Sequence, residues 1–201
     1  MKLAHRYDSP LRRQRAAATR ARILEACAAV MQTGADLTYA RVADEAAVQE
    51  RTVYRHFPTK SDLEGGLWEW ILDNLTHADF DARSEEELLS SMRGSFTGFD
   101  AGAPLILAML HSRQGLAVRM SRQRERRAMF EACAASAVPA APAAVRSDVA
   151  AALQVLYSAP AWELLRSFWG MDAERSSAVV AFAIRSLLAG ARARYEEGDA
   201  T

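Results

Sequence analysis

Between Gln49 and Phe57 the chain sets Glu50, Arg51, Thr52, Tyr54, Arg55 and His56 around one small apolar residue, Val53. Side chains of these types recognise other groups. Arg51 or Arg55 can pair with guanine O6 and N7, and Glu50 can accept from cytosine N4. An acid at a helix start also offsets the helix dipole without touching anything, so Glu50 keeps both readings. Support for bond-making chemistry is missing. There is no Gly-rich phosphate loop, no HExxH, no Cys/His cluster and no paired acid and base. The four histidines, His5, His56, His77 and His111, are scattered. The sequence therefore predicts no catalytic residue, no metal and no cofactor.

The elements around that polar set explain its spacing. Thr38 is an N-cap for a short helix through Ala46, with Val42 and Ala43 facing inward. Ala47-Val48-Gln49 reads as a turn, and a second short helix runs from Glu50 to about His56, ended by Pro58. Two short helices across a three-residue turn, with small Ala43 and Ala46 at their contact, suit a helix-turn-helix. Val53 closes the small core, so the polar face of the second helix points outward, towards a DNA major groove.

A helix capped by Thr19 precedes this pair, its apolar positions Ile23, Leu24, Cys27, Val30 and Met31 following the 3.6 period, and Gly34 stops it. A capping box of Thr59 and Asp62 opens a long fourth helix carrying Leu63, Leu67, Trp70, Ile71 and Leu75. Ser84 and Glu87 form a second box ahead of a helix to Phe96. Pro104 to about Ser112 reads as a short helix, broken by Gly115 from one reaching about Ser136. An Ala/Pro linker spans 137–143, and two long helices close the chain, 145–169 and 172–195, the first kinked at Pro160. The fold class is all-α, about nine helices. Residues 1–18 form a flexible basic arm, 19–63 the helix-turn-helix domain and 64–201 a helical body.

Bulk composition agrees. Half of the 201 residues are apolar, and Gly and Pro are few, a balance that favours helix over sheet. Net charge is zero, but residues 1–60 carry 11 Lys/Arg against 6 Asp/Glu, a net +5 offset by the remainder. That asymmetry fits a polyanion-binding end on a mildly acidic body. Cys27 and Cys133 read as buried free thiols in a reducing compartment. No signal peptide is visible and no run reaches about 18 uncharged apolar residues, so the expectation is a cytoplasmic chain with no membrane span.

The stretch Leu37–Leu63, LTYARVADEAAVQERTVYRHFPTKSDL, resembles the headpiece of the TetR family of bacterial repressors. Thr38, Val42-Ala43, Val48, Val53-Tyr54-Arg55-His56-Phe57 and Lys60 match its pattern, and Arg22-Ile23-Leu24-Glu25-Ala26 looks like its first helix. Two positions depart from it. Ala47 stands where a turn Gly is usual, costly if that residue needs φ > 0, and Gln49 stands where a Ser N-cap is usual.

Position and resemblance together assign roles. Thr38 and Tyr39, at a helix N-terminus, donate to phosphate. Tyr54, His56 and Lys60 clamp the backbone, unless Tyr54 packs as core, and Glu50, Arg51, Thr52 and Arg55 face the groove floor. The arm arginines Arg6, Arg12, Arg13 and Arg15 either track DNA or belong to a solvated tail.

The resemblance also implies a homodimer on a palindromic double-stranded operator and a small-molecule effector, hence a sequence-specific regulator, a repressor by analogy. The alternative is a non-specific DNA-binding protein or an effector-independent helical architectural protein. Dimer contacts fall to the last two helices, which are apolar on more than one face: Leu153, Leu156, Trp162, Leu165, Phe168, Trp169, Phe182 and Leu187. Trp162, in an Ala-Pro-Ala-Trp-Glu-Leu-Leu stretch, also suits a structural role. Effector-pocket candidates are Trp68, Met92, Phe96, Met109, His111, Met129, Phe130 and Tyr157, each equally readable as core. The run SRQRERR at 121–127 is either a solvated face or the wall of an anion pocket.

Overall fold

The computed structural model describes residues 10–74 and 80–196, and every described element is an α-helix. There are eleven rather than about nine: α1 (Pro10–Gln32), α2 (Tyr39–Glu45), α3 (Glu50–His56), α4 (Lys60–Asn74), α5 (Glu85–Ala101), α6 (Ala103–Leu110), α7 (Arg113–Ser121), α8 (Gln123–Ala137), α9 (Ala143–Leu156), α10 (Ala159–Trp169) and α11 (Ala173–Glu196). The chain divides into two compact units, one ending at Leu67 and the other beginning at Trp68. Arg6, His5, Leu75 and His77 lie outside the described residues.

In the first unit, α1 begins at Pro10, nine residues before the expected cap. Proline is well suited to a first helical turn, and the Arg/Ala-rich sequence behind it has high helix propensity. Thr19 caps nothing; its Oγ1 donates to the Arg15 carbonyl one turn back, at 2.9 Å. Arg12, Arg13 and Arg15 are thus helical, which corrects the arm's expected boundary. Ile23, Leu24, Cys27 and Val30 of α1 are buried, as are Val42 and Ala43 of α2, Val53 of α3, and Leu63 and Leu67 of α4. The Thr59–Asp62 box forms as expected: Asp62 N–H donates to Thr59 Oγ1 (3.1 Å) and Asp62 Oδ2 accepts from Thr59 N–H (2.9 Å).

In the second unit, α5, α8, α9 and α11 pack together, with α6, α7 and α10 beside them. Its core holds Leu88, Met92, Phe96, Phe130, Leu153, Trp162 and Ile184. Asp100 ties three helices: Oδ1 accepts from Trp162 Nε1 (2.9 Å) and Arg166 Nη1 (2.8 Å), and Oδ2 from the Ala173 N–H (2.6 Å). Ser84 accepts from Glu87 N–H, but the Glu87 carboxylate takes the Arg83 N–H rather than that of Ser84.

Three expectations are corrected here. The helix expected over 145–169 is two helices. Pro160 sits in the first turn of α10, after Ser158 caps that helix by accepting from Ala161 N–H, so the proline helps to start a helix and kinks none. Gly115 breaks nothing; it lies inside α7, where an added Cβ would overlap the Met109 carbonyl oxygen. The break falls instead at His111–Ser112, and Ser112 caps α7. By length and composition α11 (Ala173–Tyr195, mean hydropathy 1.2) is apolar enough to cross a membrane. It packs here against α5, α9 and α10, burying Val180, Ile184 and Leu188.

Candidate nucleic-acid interface and internal cavity

The Leu37–Leu63 stretch folds into two seven-residue helices across a tight turn. Thr38 has extended backbone angles and its side chain accepts from the Arg41 N–H at 3.3 Å. Ala46 N–H donates to Val42 O (2.9 Å), Ala47 N–H to Asp44 O (3.1 Å) and Val48 N–H to Ala43 O (2.9 Å). To make that reversal Ala47 adopts φ +50, the only non-Gly positive φ among the described residues. The position where glycine is usual does need a left-handed conformation, and an alanine is held there at a steric cost. Gln49 stands at the N-cap of α3 without a side-chain cap bond.

α3 then presents its residues as the helical period dictates. Val53 is buried and Phe57 closes the core behind it, while Glu50, Arg51, Tyr54 and Arg55 are exposed. Thr52 and His56 are half-buried, and Lys60 is exposed, its Nζ 3.8 Å from Glu64 Oε1. Tyr39 and Tyr54 are brought together, stacked with ring centroids 3.9 Å apart. Tyr39 does not have the free hydroxyl expected of a phosphate donor, because its O–H donates to the Phe57 carbonyl at 2.9 Å. Tyr54 is 47% exposed and is therefore not core.

Two features escaped the sequence reading. Arg20 of α1 lies over the Phe57 ring, 4.2 Å from its centroid. Gly66 of α4 admits this close packing, since a Cβ there would come within 2.7 Å of Phe57. Arg20 also bears on His56, whose pKa is lowered by burial first, then by Arg55 and Arg20. His56 is accordingly a neutral hydrogen-bonding group at neutral pH, not a cation.

Inside the second unit lies a cavity of about 250 Å³. Of the sequence candidates, Met109, Met129, Phe130 and Tyr157 line it; Trp68, Met92, Phe96 and His111 do not. Trp68, Met92 and Phe96 are buried core, and Trp68 Nε1 has no hydrogen-bond partner among the described residues. His111 is exposed, its Nε2 2.6 Å from Glu163 Oε1. The polar wall consists of Tyr157, whose hydroxyl is 2.6 Å from Ser95 Oγ and 2.9 Å from Ser91 Oγ, the Gln123–Gln154 amide pair at 3.2 Å, and Arg119 and Arg126. Arg126 lay within the flagged 121–127 run. Its position one turn before Phe130 extends the apolar stripe Met129, Phe130, Cys133, Ala134 backward, a signal that could have separated it from its solvated neighbours.

The residues expected at a subunit interface divide in two. Leu153 and Trp162 are completely buried within the chain and are corrected to core. Leu156, Leu165 and Leu187 are half-buried, whereas Phe168 (83%), Trp169 (69%) and Phe182 (73%) stand exposed. Val155, Leu164 and Val179 join them. Cys27 and Cys133 are free and buried, and burial pushes their thiols up to about 12 and about 11.

Residues 23–64 match the family model described as bacterial regulatory proteins, tetR family. The chain is also similar to two curated proteins, the nucleoid occlusion factors SlmA of Alteromonas mediterranea and Idiomarina loihiensis. Each is 41% identical over 58 residues, which is 28% of this chain and 30% of the relative. The chain thus matches under a third of the length of these relatives. The likeness to the tetR family of bacterial regulatory proteins is carried by the helix-turn-helix headpiece, residues 23–64.

Proposed function

We propose that the protein is a sequence-specific DNA-binding transcription regulator that works in the cytoplasm as a homodimer, a repressor released from a palindromic operator by a small molecule. The observation that carries this reading is the outward face of α3, where Glu50, Arg51 and Arg55 stand clear of a core closed by Val53 and Phe57. In a major groove these side chains reach base edges. Thr38, Tyr54, His56 and Lys60 then meet the flanking phosphates, and Tyr39 supports Tyr54 from behind.

One headpiece contacts one half-site. A twofold axis sets two recognition helices about 34 Å apart, one turn of DNA. An apolar groove lined by Val155, Leu156, Leu164, Leu165 and Val179, with Phe168, Trp169 and Phe182 exposed on two of the same helices, α10 and α11, supports pairing, because so much exposed apolar surface is costly in water. Leu187 is half-buried on α11.

Regulation needs a ligand that prefers a conformer unsuited to DNA, and its leverage is its differential affinity, typically about 1–3 kcal/mol. The cavity supplies a place for such a ligand. α4 continues from Lys60 to Asn74, and Leu72 on it lines the cavity, so movement of α4 is the natural relay.

Selection of binding sites from random duplexes, followed by a competition shift assay, tests the reading. A recovered palindrome that random DNA fails to displace supports it; equal affinity for all sequences overturns it. The second outcome is the one expected of a nucleoid-associated architectural protein, a reading favoured by the names of the two relatives.

A further inference from the structure

The cavity wall has an unbalanced charge. Arg119 and Arg126 both line it, and among the described residues no Asp or Glu does. Arg126 forms no ion pair among the described residues; Nη1 donates weakly to the Arg119 carbonyl at 3.4 Å. Its guanidinium lies 5.2 Å from the centroid of the Phe80 ring, which fixes its orientation. Burial, then Arg119, lowers its pKa. Arg119 donates at 3.4 Å to the Gly115 and Leu110 carbonyls, and Glu163, the acid acting on it, is already engaged by His111.

A guanidinium does not shed its proton in a protein. Partly desolvated without a counter-charge, it remains an unfavourable charge until an anion meets it. Most of its five N–H donors are unused, in a fork that matches a carboxylate. Beyond the polar groups named above, the wall is apolar and adaptable: Phe99, Met109, Leu116, Met129 and Phe130, with methionines that reshape around different ligands. A cavity of about 250 Å³ is at the small end for organic ligands.

We propose that this cavity binds a small monocarboxylic acid, its carboxylate on Arg126 and Arg119, its hydrocarbon body among Phe99, Met109 and Phe130. The acid's polar end also falls within reach of the Tyr157–Ser95 hydroxyl pair. As the identity of an effector this rests on the regulator reading; as a binding site it stands on the cavity alone.

The test uses the full chain without DNA. Straight-chain and aromatic monocarboxylates are titrated by calorimetry, each beside its primary amide, with inorganic phosphate as a further arm. At least one acid should bind while its amide binds about tenfold more weakly or not at all, the loss expected for a charge-assisted hydrogen bond. Arg126→Gln should abolish that preference and Arg126→Lys should restore part of it. If Arg126→Gln does not fold, Arg119→Gln carries the same comparison. Equal binding of acid and amide, binding of phosphate in place of every acid, an acid preference that survives Arg126→Gln, or no binding by any acid would each overturn the proposal. A separate DNA shift assay keeps the two readings apart. Protein that binds an operator but no acid refutes only the acid site; protein that binds acid but no DNA refutes only the regulator.

Discussion

Tyr39 and Tyr54 lie face to face, their ring planes within 7° and their centroids 3.9 Å apart. The pair joins α2 to α3, and the Tyr39 hydroxyl adds a further tie by donating to the Phe57 carbonyl. The orientation of α3 is therefore held by a ring stack and one hydrogen bond as well as by the small core. Tyr39→Phe keeps the stack and removes the bond. Its expected cost is about 1 kcal/mol, read as a lowered denaturant midpoint, with little change in DNA affinity because the lost hydroxyl faces the protein.

Ala47 holds φ +50, a conformation that costs an L-residue roughly 1–2 kcal/mol, part of which a glycine returns through its greater unfolded-state freedom. Ala47→Gly should therefore stabilise the headpiece by up to about 1 kcal/mol. Gln49→Ser should add about 1 kcal/mol by capping α3. Guanidinium unfolding would show both as raised midpoints at constant slope. A destabilised Ala47→Gly would mean that the turn is not strained.

Arg55 and Lys60 should fail differently. Arg55→Ala is expected to lower specific binding by about 1–3 kcal/mol and to relax sequence preference. Lys60→Ala should weaken binding to all sequences and flatten the salt dependence by about one unit per half-site. Shift assays over a salt series separate the two, and an unchanged slope for Lys60→Ala would remove it from the phosphate contacts.

Phe182 is exposed on α11 at 73% and Phe168 on α10 at 83%. Phe182→Asp should leave the fold intact and convert a dimer to monomers, with loss of operator binding. Light scattering on a sizing column reads the mass, and circular dichroism checks the helices. Trp162→Ala is the contrasting change, expected to cost about 3–5 kcal/mol of stability because that side chain is buried and bonded to Asp100.

His56 predicts a direction with pH. Its folded pKa lies below the ordinary 6.5, so the unfolded chain binds the proton more readily. This contribution to stability is fully present above 6.5 and is lost as pH falls through the folded value. Melts at decreasing pH should show the decline, and His56→Gln should remove this component while leaving the salt slope of DNA binding at neutral pH unchanged.

The headpiece was largely legible because its determinants are local. Thr38 as a cap, the burial of small Ala43 and Ala46, Val53 in the core and the Thr59–Asp62 box each depend on a few neighbouring residues, and these appear as read. Even the misfit at Ala47 could be anticipated. The body was less so. Pro160 can be read as a kink in one long helix or as the first turn of a second, and Ser158 as a cap decides between them. Gly115 reads as a breaker until the Met109 carbonyl is found against it. Leu153 and Trp162 have the composition of an interface, but burial within one chain or between two depends on tertiary contacts that periodicity does not encode. Arg126 was submerged in a basic run of which only one face turns inward.

Position 115 also bears on the evolution of the cavity. Its lone hydrogen lets α7 lie against the Met109 carbonyl, and α7 carries Leu116, Arg119 and Met120 to the cavity wall. A methyl group there would push α7 and its share of the wall away from Met109 without changing any residue that lines the cavity. The shape of that part of the cavity is thus open to change at Leu116 and Met120, one side chain at a time, only while the backbone beneath them stays bare.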